Sequence, residues 1–187
     1  VIIAIIWFEQ KATRDHSHME KWLYLPLLLP QASFLFGLQI LLIWFRLDGL
    51  YITLIWVHML FVFPYVMLTL GPTWRRFDRR YIDIAATLGA GKIKHLFRIK
   101  LPILLTPIMT AFAIGFSVSC ALYLPTIFAS NGRMVTLTTE AVTLASGASR
   151  QALGVASILQ MILPLVVFLL CDAVIRWRFG QFRYFRS

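Results

Sequence analysis

Carboxylates are scarce in this chain, with eight Asp and Glu among 187 residues against eighteen Lys and Arg. Glu140 and Asp172 stand isolated, so no pair is spelled out that could serve as general acid and base. Cysteine is nearly absent. Cys120 and Cys171 lie far apart inside apolar runs without CxxC spacing, and read as small packing residues. Four histidines form no ligand spacing with thiols or carboxylates; His16 and His18, two apart, are a weak metal signal that nothing nearby reinforces, and no metal site is expected. Catalytic signatures are missing too. There is no G-x-S-x-G, and the run GAGK at Gly89–Lys92 fails as a phosphate loop at two places. Ala86 stands where the first Gly belongs, and Ile93 stands where Ser or Thr would hold magnesium. The chain therefore reads as neither an enzyme nor a nucleotide binder by that route.

Apolar residues are what the chain has in excess. It is 59% hydrophobic and only 14% charged, with a mean hydropathy of +0.77, well above the apolar share of a soluble domain. Four stretches have the length of about 20 apolar residues that a bilayer requires: Leu27–Phe45, Leu50–Leu70, Ile103–Tyr123 and Ala152–Ile175. Val1–Phe8 reads as the end of a fifth. It starts in mid-run, with no initiator Met and without signal-peptide flanks, so the chain is expected to be the later part of a longer protein. The fold class expected is all-α: one polytopic transmembrane helix bundle over residues 1–187.

The cations alternate between the ends of these spans. Lys11, Arg14 and Lys21 precede the first full span. The loop 71–102 carries Arg75, Arg76, Arg79, Arg80, Lys92, Lys94, Arg98 and Lys100, and the tail carries Arg176, Arg178, Arg183 and Arg186. The opposite side holds Arg46, Arg133 and Arg150 alone. Because Lys and Arg in short loops mark the cytoplasmic side, 71–102 and the tail are expected inside, and 46–49 and 124–151 outside. Most of these cations read as topology determinants beside anionic lipid. The net charge of +10 is spread over membrane-flanking loops rather than over one polar face, so no nucleic-acid partner is expected.

The loop between the second and third full spans is about thirty residues long, more than a simple connector needs. Phe77, Tyr81, Ile84, Ala85 and Leu88 fall at helical spacing and form an apolar stripe. Gly89 stands where a helix stops, since the left-handed conformation after a helix end suits glycine best. Lys92–Ile99 is a second short amphipathic stretch with Ile93, Leu96 and Phe97 on one side. Pro102 opens the next span, where its missing N–H is harmless. The result is a helix–turn–helix lying along the membrane, with small residues at the turn that let another backbone approach closely. Two readings of it are open on periodicity alone: a docking element for a partner, or an amphipathic hairpin resting on headgroups.

The same loop resembles the cytoplasmic EAA loop of the membrane subunits of bacterial ABC importers. That pattern runs E-A-A, three residues, G, nine residues, I-x-L-P. Here Asp83-Ile84-Ala85 stands for E-A-A, Gly89 follows after three residues, and Ile99-Lys100-Leu101-Pro102 completes it after nine more. Asp83 replaces Glu on a shorter arm, and Ile84 adds bulk where the family is small. The resemblance implies a coupling helix seated in a separate cytoplasmic ATPase subunit, with Asp83, Ala85, Ala86, Leu88, Gly89, Ala90, Phe97, Ile99, Leu101 and Pro102 as the coupling loop. It also implies a second permease half, a periplasmic solute-binding protein, ATP and magnesium on the partner ATPase with no cofactor on this chain, and a multi-pass place in the bacterial inner membrane.

Within that family the chain is most similar to the ferric-iron and thiamine permeases. Their stretch S-L-G-E-F-G-A-T is matched by Ser119–Thr126, where Ser119 and Thr126 fit and Leu122 replaces the acid. His58, Ser117, Ser119 and Tyr123 are candidates for lining a translocation path; equally, each is a polar residue that could bond a neighbouring helix. The outer segment Ser130–Arg150 is expected to hold a short helix or a plain loop. The rival class is a secondary transporter or channel that needs no ATPase, although the spans hold few polar residues beyond His58, Gln39 and Gln160.

Overall fold

Helices form wherever the apolar runs allow, because in hydrocarbon each backbone N–H and C=O must be satisfied within its own segment. The structure, a computed structural model, describes residues 1–11, 22–78, 80–87, 91–147 and 150–180. In chain order the elements are α1 (Ile2–Lys11), α2 (Leu25–Leu28), α3 (Gln31–Trp44), α4 (Tyr51–Arg75), α5 (Arg80–Thr87) and α6 (Lys92–His95). A π-helical turn (Leu96–Lys100) follows, then α7 (Leu101–Ile103), α8 (Leu105–Ala121), α9 (Tyr123–Ser130), α10 (Leu137–Ala145) and α11 (Arg150–Gly180). No strand occurs among the described residues. The fold is an all-α bundle of membrane-type helices.

Two helices, α4 and α11, are long and apolar enough to cross a membrane by themselves. Ile93–Ile103 and Leu105–Ala121 together have the length and composition of a third, and meet at 76°. The bend has a covalent cause. Pro102 and Pro107 cannot donate to the carbonyls one turn back, which frees the chain to turn at Leu104. The apolar stretch 27–45 differs from its expected form: it is split at Leu29–Pro30 into α2 and the fourteen-residue α3. Proline 30 sits just ahead of α3, where its missing N–H costs nothing. The stretch 103–123 is likewise interrupted at Leu122 (φ −76°, ψ 81°), and α9 continues beyond it as a separate short helix.

α4 is the spine. Toward one end Val66, Met67, Leu70 and Trp74 pack with Ala4 and Phe8 of α1 and with Leu104, Ile108 and Ala111 of the α8 region. Toward the other, Val57 and Phe61 pack with Leu35 and Leu42 of α3 and with Leu122 and Ala129 near α9. α11 lies along α8 and α10 but keeps an almost wholly exposed apolar surface, with 6% of its apolar window buried against 33% for α4. At the α3–α4 end two tight turns are joined. The N–H of Gly49 (φ 73°) donates to the Ala129 carbonyl at 3.1 Å, and Asn131 takes the left-handed conformation at the end of α9.

Close approach of α4 and α8 depends on small residues, as membrane helix pairs commonly do. A Cβ at Gly115 would lie 2.9 Å from Val66 Cγ2 and 3.2 Å from Val62 Cγ1. Gly115→Leu is therefore expected to force the two helices apart and destabilise the bundle by about 1–3 kcal/mol. Gly154→Ala on α11, where a Cβ meets nothing within 4 Å, should be neutral or stabilising by up to about 1 kcal/mol. Thermal unfolding of the detergent-solubilised protein checks both.

Candidate functional site

Two groups of polar residues interrupt the apolar surface of the bundle, one at each end of α4. The first centres on His58. Its Nδ1 lies 3.0 Å from Ser119 Oγ of α8 and its Nε2 2.9 Å from Thr126 Oγ1 of α9. Thr126 donates its hydroxyl proton to the Leu122 carbonyl one turn back. With that proton spent, Thr126 accepts from the ring, so Nε2 carries a hydrogen. A second chain adjoins it: Thr138 of α10 donates to the Cys120 carbonyl, and Gln160 of α11 donates to Thr138 Oγ1 at 3.4 Å.

Five helices thus meet through hydrogen bonds around one cavity. It has a volume of about 210 Å³, and His58, Ser119, Thr126, Thr136, Thr138 and Gln160 are among the residues that line it. A larger cavity, about 530 Å³, lies between α3 and α4. Leu41, Leu42, Phe45, Ile52 and Trp56 make it an apolar crevice with little to recognise a solute. Chemistry, rather than size, marks the smaller one as the candidate site.

Of the residues expected to line a path, His58 and Ser119 come together. Ser117 turns instead to the Ala113 carbonyl of its own helix at 2.8 Å, and Tyr123 starts α9 half-buried, outside the cavity lining. Thr138 was not foreseen; it lies eighteen residues beyond the carbonyl it caps. Its one signal in the sequence is the Thr136–Thr139 run that caps α10 through reciprocal hydrogen bonds. Among the described residues no three His, Cys, Asp or Glu side chains converge as a metal site would need.

The second group is the loop after α4. Asp78 accepts from the Arg80 N–H at 2.9 Å and so starts α5. α5 carries Asp83, Ala85 and Ala86; their side chains, and Leu88, Gly89 and Ala90 altogether, lie outside the described residues, and with them the expected helix stop. On the described part an apolar surface is left uncovered: Tyr81 and Ile84 on α5, Ile93 on α6 and Phe97 on the π-helical turn are all at least half exposed. Ile99, Leu101 and Pro102 are half-buried where the loop re-enters the bundle.

One cation departs from its expected role. Lys100, counted by sequence among the solvated topology determinants, is buried. Its Nζ lies 2.6 Å from Glu9 Oε2 of α1 and 4.3 Å above the Trp74 ring of α4. Trp74 in turn stacks on Phe8, with centroids 5.8 Å apart. Sequence could not indicate this pair, since its members are 91 positions apart.

The fold and these two groups define a membrane helix bundle with an internal polar site and, at one end, short helices that leave apolar side chains exposed. Over 177 residues, 95% of its length, the chain is 40% identical to the inner membrane ABC transporter permease protein YnjC of Escherichia coli (strain K12). The chain spans about a third of that protein, 34% of its length. No family model and no solved structure matches the chain.

The hydrogen-bonded cluster makes a direct prediction. Thr126→Val keeps the shape but removes the acceptor for the His58 Nε2–H, and is expected to cost about 1–2 kcal/mol. Thr110→Val, where the hydroxyl only turns back to the Thr106 carbonyl, should cost less than about 0.5 kcal/mol. Unfolding in mixed micelles measures the difference.

Proposed function

We propose that this chain is part of the permease of a binding-protein-dependent ABC importer in a bacterial inner membrane. The observation that carries the reading is the 83–102 pattern: its spacing resembles the EAA loop throughout, and the described apolar residues Tyr81, Ile84, Ile93 and Phe97 around it are exposed by half or more. The similarity to the YnjC permease along nearly the whole chain supports it. In this reading 71–102 faces the cytoplasm and α5–α6 seat in a cleft of a separate ATPase subunit. The ATPase binds ATP and magnesium, this chain binds no cofactor, and a second permease half and a periplasmic binding protein complete the machine. Its flavour is that of the ferric-iron and thiamine permeases, with Leu122 in place of their acid.

Physical chemistry explains why the hairpin suits the task. Tyr81, Ile84, Ile93 and Phe97 are exposed by half or more, and a partner that covers them gains the burial of each large apolar side chain, about 1.5–3 kcal/mol apiece before ordering costs. The cations around them, Arg80, Lys94 and Arg98, supply a polar rim. At the other end of α4 the solute passes His58 and Ser119. A polar cluster costs free energy in hydrocarbon and is kept there for a function. That same cluster is what would favour a transporter independent of any ATPase, so the partner decides between the two.

The test is a detergent pull-down of the tagged full-length protein from its native membrane, beside Gly89→Trp and Ile93→Glu variants. An ATPase subunit should co-purify with the native protein. Loss of one apolar anchor should weaken its binding at least about tenfold, equivalent to 1.4 kcal/mol. A folded, abundant protein with no ATPase attached would leave the loop a lipid-facing hairpin and put the ATPase-independent transporter first.

A further inference from the structure

We infer that Lys100, Glu9 and Trp74 form a charge clasp that fixes the exit arm of the hairpin to α1 and α4, so that hairpin and spans move as one body. As a device for coupling it rests on the permease reading above; as a mechanical tie it does not.

The argument starts from where the chain is compliant. On the N-terminal side of Lys100 runs a π-helical turn, Leu96–Lys100. Such turns are rare and concentrate at functional sites. On its C-terminal side the chain bends by 76° at Leu104, with Pro102 and Pro107 withholding two backbone donors. A hairpin attached through two such joints would flex when pushed, and displacement of its docking face would be absorbed before reaching the spans. Lys100 lies between the joints.

Lateral apolar packing alone does not remove that freedom. Leu96, Leu101 and Phe77 rest against the cluster built on Phe8, Met67, Leu70 and Trp74, but apolar contacts are non-directional and let surfaces slide. An ion pair at 2.6 Å is a point contact with a defined length. Its two ends sit on the last turns of α1 and at the re-entry of the loop, while the ammonium also lies over Trp74, on the last turn of α4. Three elements are thereby held at one atom.

Stability is a poor reason for the pair to exist. Taking an ammonium out of water is expensive, and an apolar residue of similar volume is often as good or better for stability. Glu9 keeps 36% of its side-chain exposure and could remain hydrated without its partner, whereas Lys100 keeps 5%. What the ionic contact supplies, and methionine would not, is position. Lys100 and Glu9 are thus positioning residues.

The experiment uses the full-length protein with its co-purified ATPase in lipid nanodiscs, with Cys120 and Cys171 replaced by Ala. Nitroxides go on the exposed Lys94 of α6, outside the apolar docking residues, and on the exposed Tyr51 at the far end of α4. Pulsed electron paramagnetic resonance should give one narrow Lys94–Tyr51 distance in the native background, with and without ATP and vanadate. Lys100→Met should leave the protein folded and the ATPase attached, yet broaden or split that distance. Glu9→Gln should do the same, and the exchange Glu9→Lys with Lys100→Glu should restore a single narrow distance. A merely structural pair would lower the melting temperature without moving the distance, and that result overturns the clasp. So does a charge exchange that leaves the distribution broad. If Lys100→Met fails to fold, Glu9→Gln and the exchange decide by the same readout. If no ATPase accompanies the native protein, the permease reading fails by itself, and the width of the distance in the isolated chain still judges the clasp.

Discussion

A polar side chain inside a bilayer has no water to turn to, and each must be met by another part of the protein. That constraint arranges this chain. His58 is met on both ring nitrogens by hydroxyls from two other helices, Thr138 caps a carbonyl released where α8 ends, and Lys100 is met by a carboxylate and a ring face. The apolar majority of residues tells the helices only to enter the membrane. These few groups determine which helices touch, and at what height along their axes.

Interruptions in the helices follow the same logic. α8 ends at Leu122, freeing the last carbonyls of the helix, and the hydroxyls of Thr126 and Thr138 take up those of Leu122 and Cys120. Broken helices in transport proteins are tolerated where other protein groups or a cavity satisfy the opened backbone. Here a cavity of about 210 Å³ sits at the break. The polar site and the break are one feature seen from two sides: the side chains that repair the backbone are those that line the cavity.

Much of the fold was legible in the sequence, for a physical reason. Membrane entry depends on composition averaged over a span; α8 falls within the apolar stretch 103–123 that composition marks, and the stretches 50–70 and 152–175 make up most of α4 and α11, which run on past them. Averaging also hides what one residue does, and so Pro30 splits the stretch 27–45 and Leu122 ends α8 without a trace in mean hydropathy. The short helices 80–87 and 92–95 were legible because their periodicity is local. The partners of His58 and Lys100 were not, being 61, 68 and 91 positions away; nothing in a local pattern states which face of one helix meets another. Lys100 illustrates the limit most clearly. A cation near a span end carries the same signature in sequence whether it is hydrated or buried, and only a contact with α1 tells the two apart.

Geometry places the two polar groups on one rigid body. His58 and Trp74 both belong to α4 and are sixteen residues apart, about 24 Å at the rise of an α-helix. Between them α4 is packed by α8 along one side, where Gly115 lets the backbones close on Val62 and Val66. The flanking apolar clusters share α4 and α8, whose Ile108 and Ala111 enter one and whose Val118 packs on the other, while α1 joins at the Trp74 end alone and α3 and α9 at the His58 end. Hydrogen bonds of about 3 Å tolerate little displacement before they weaken. The contact of His58 with Thr126 therefore depends on how α9 is seated against α4, while its contact with Ser119 is held by the same α4–α8 seam that Gly115 closes.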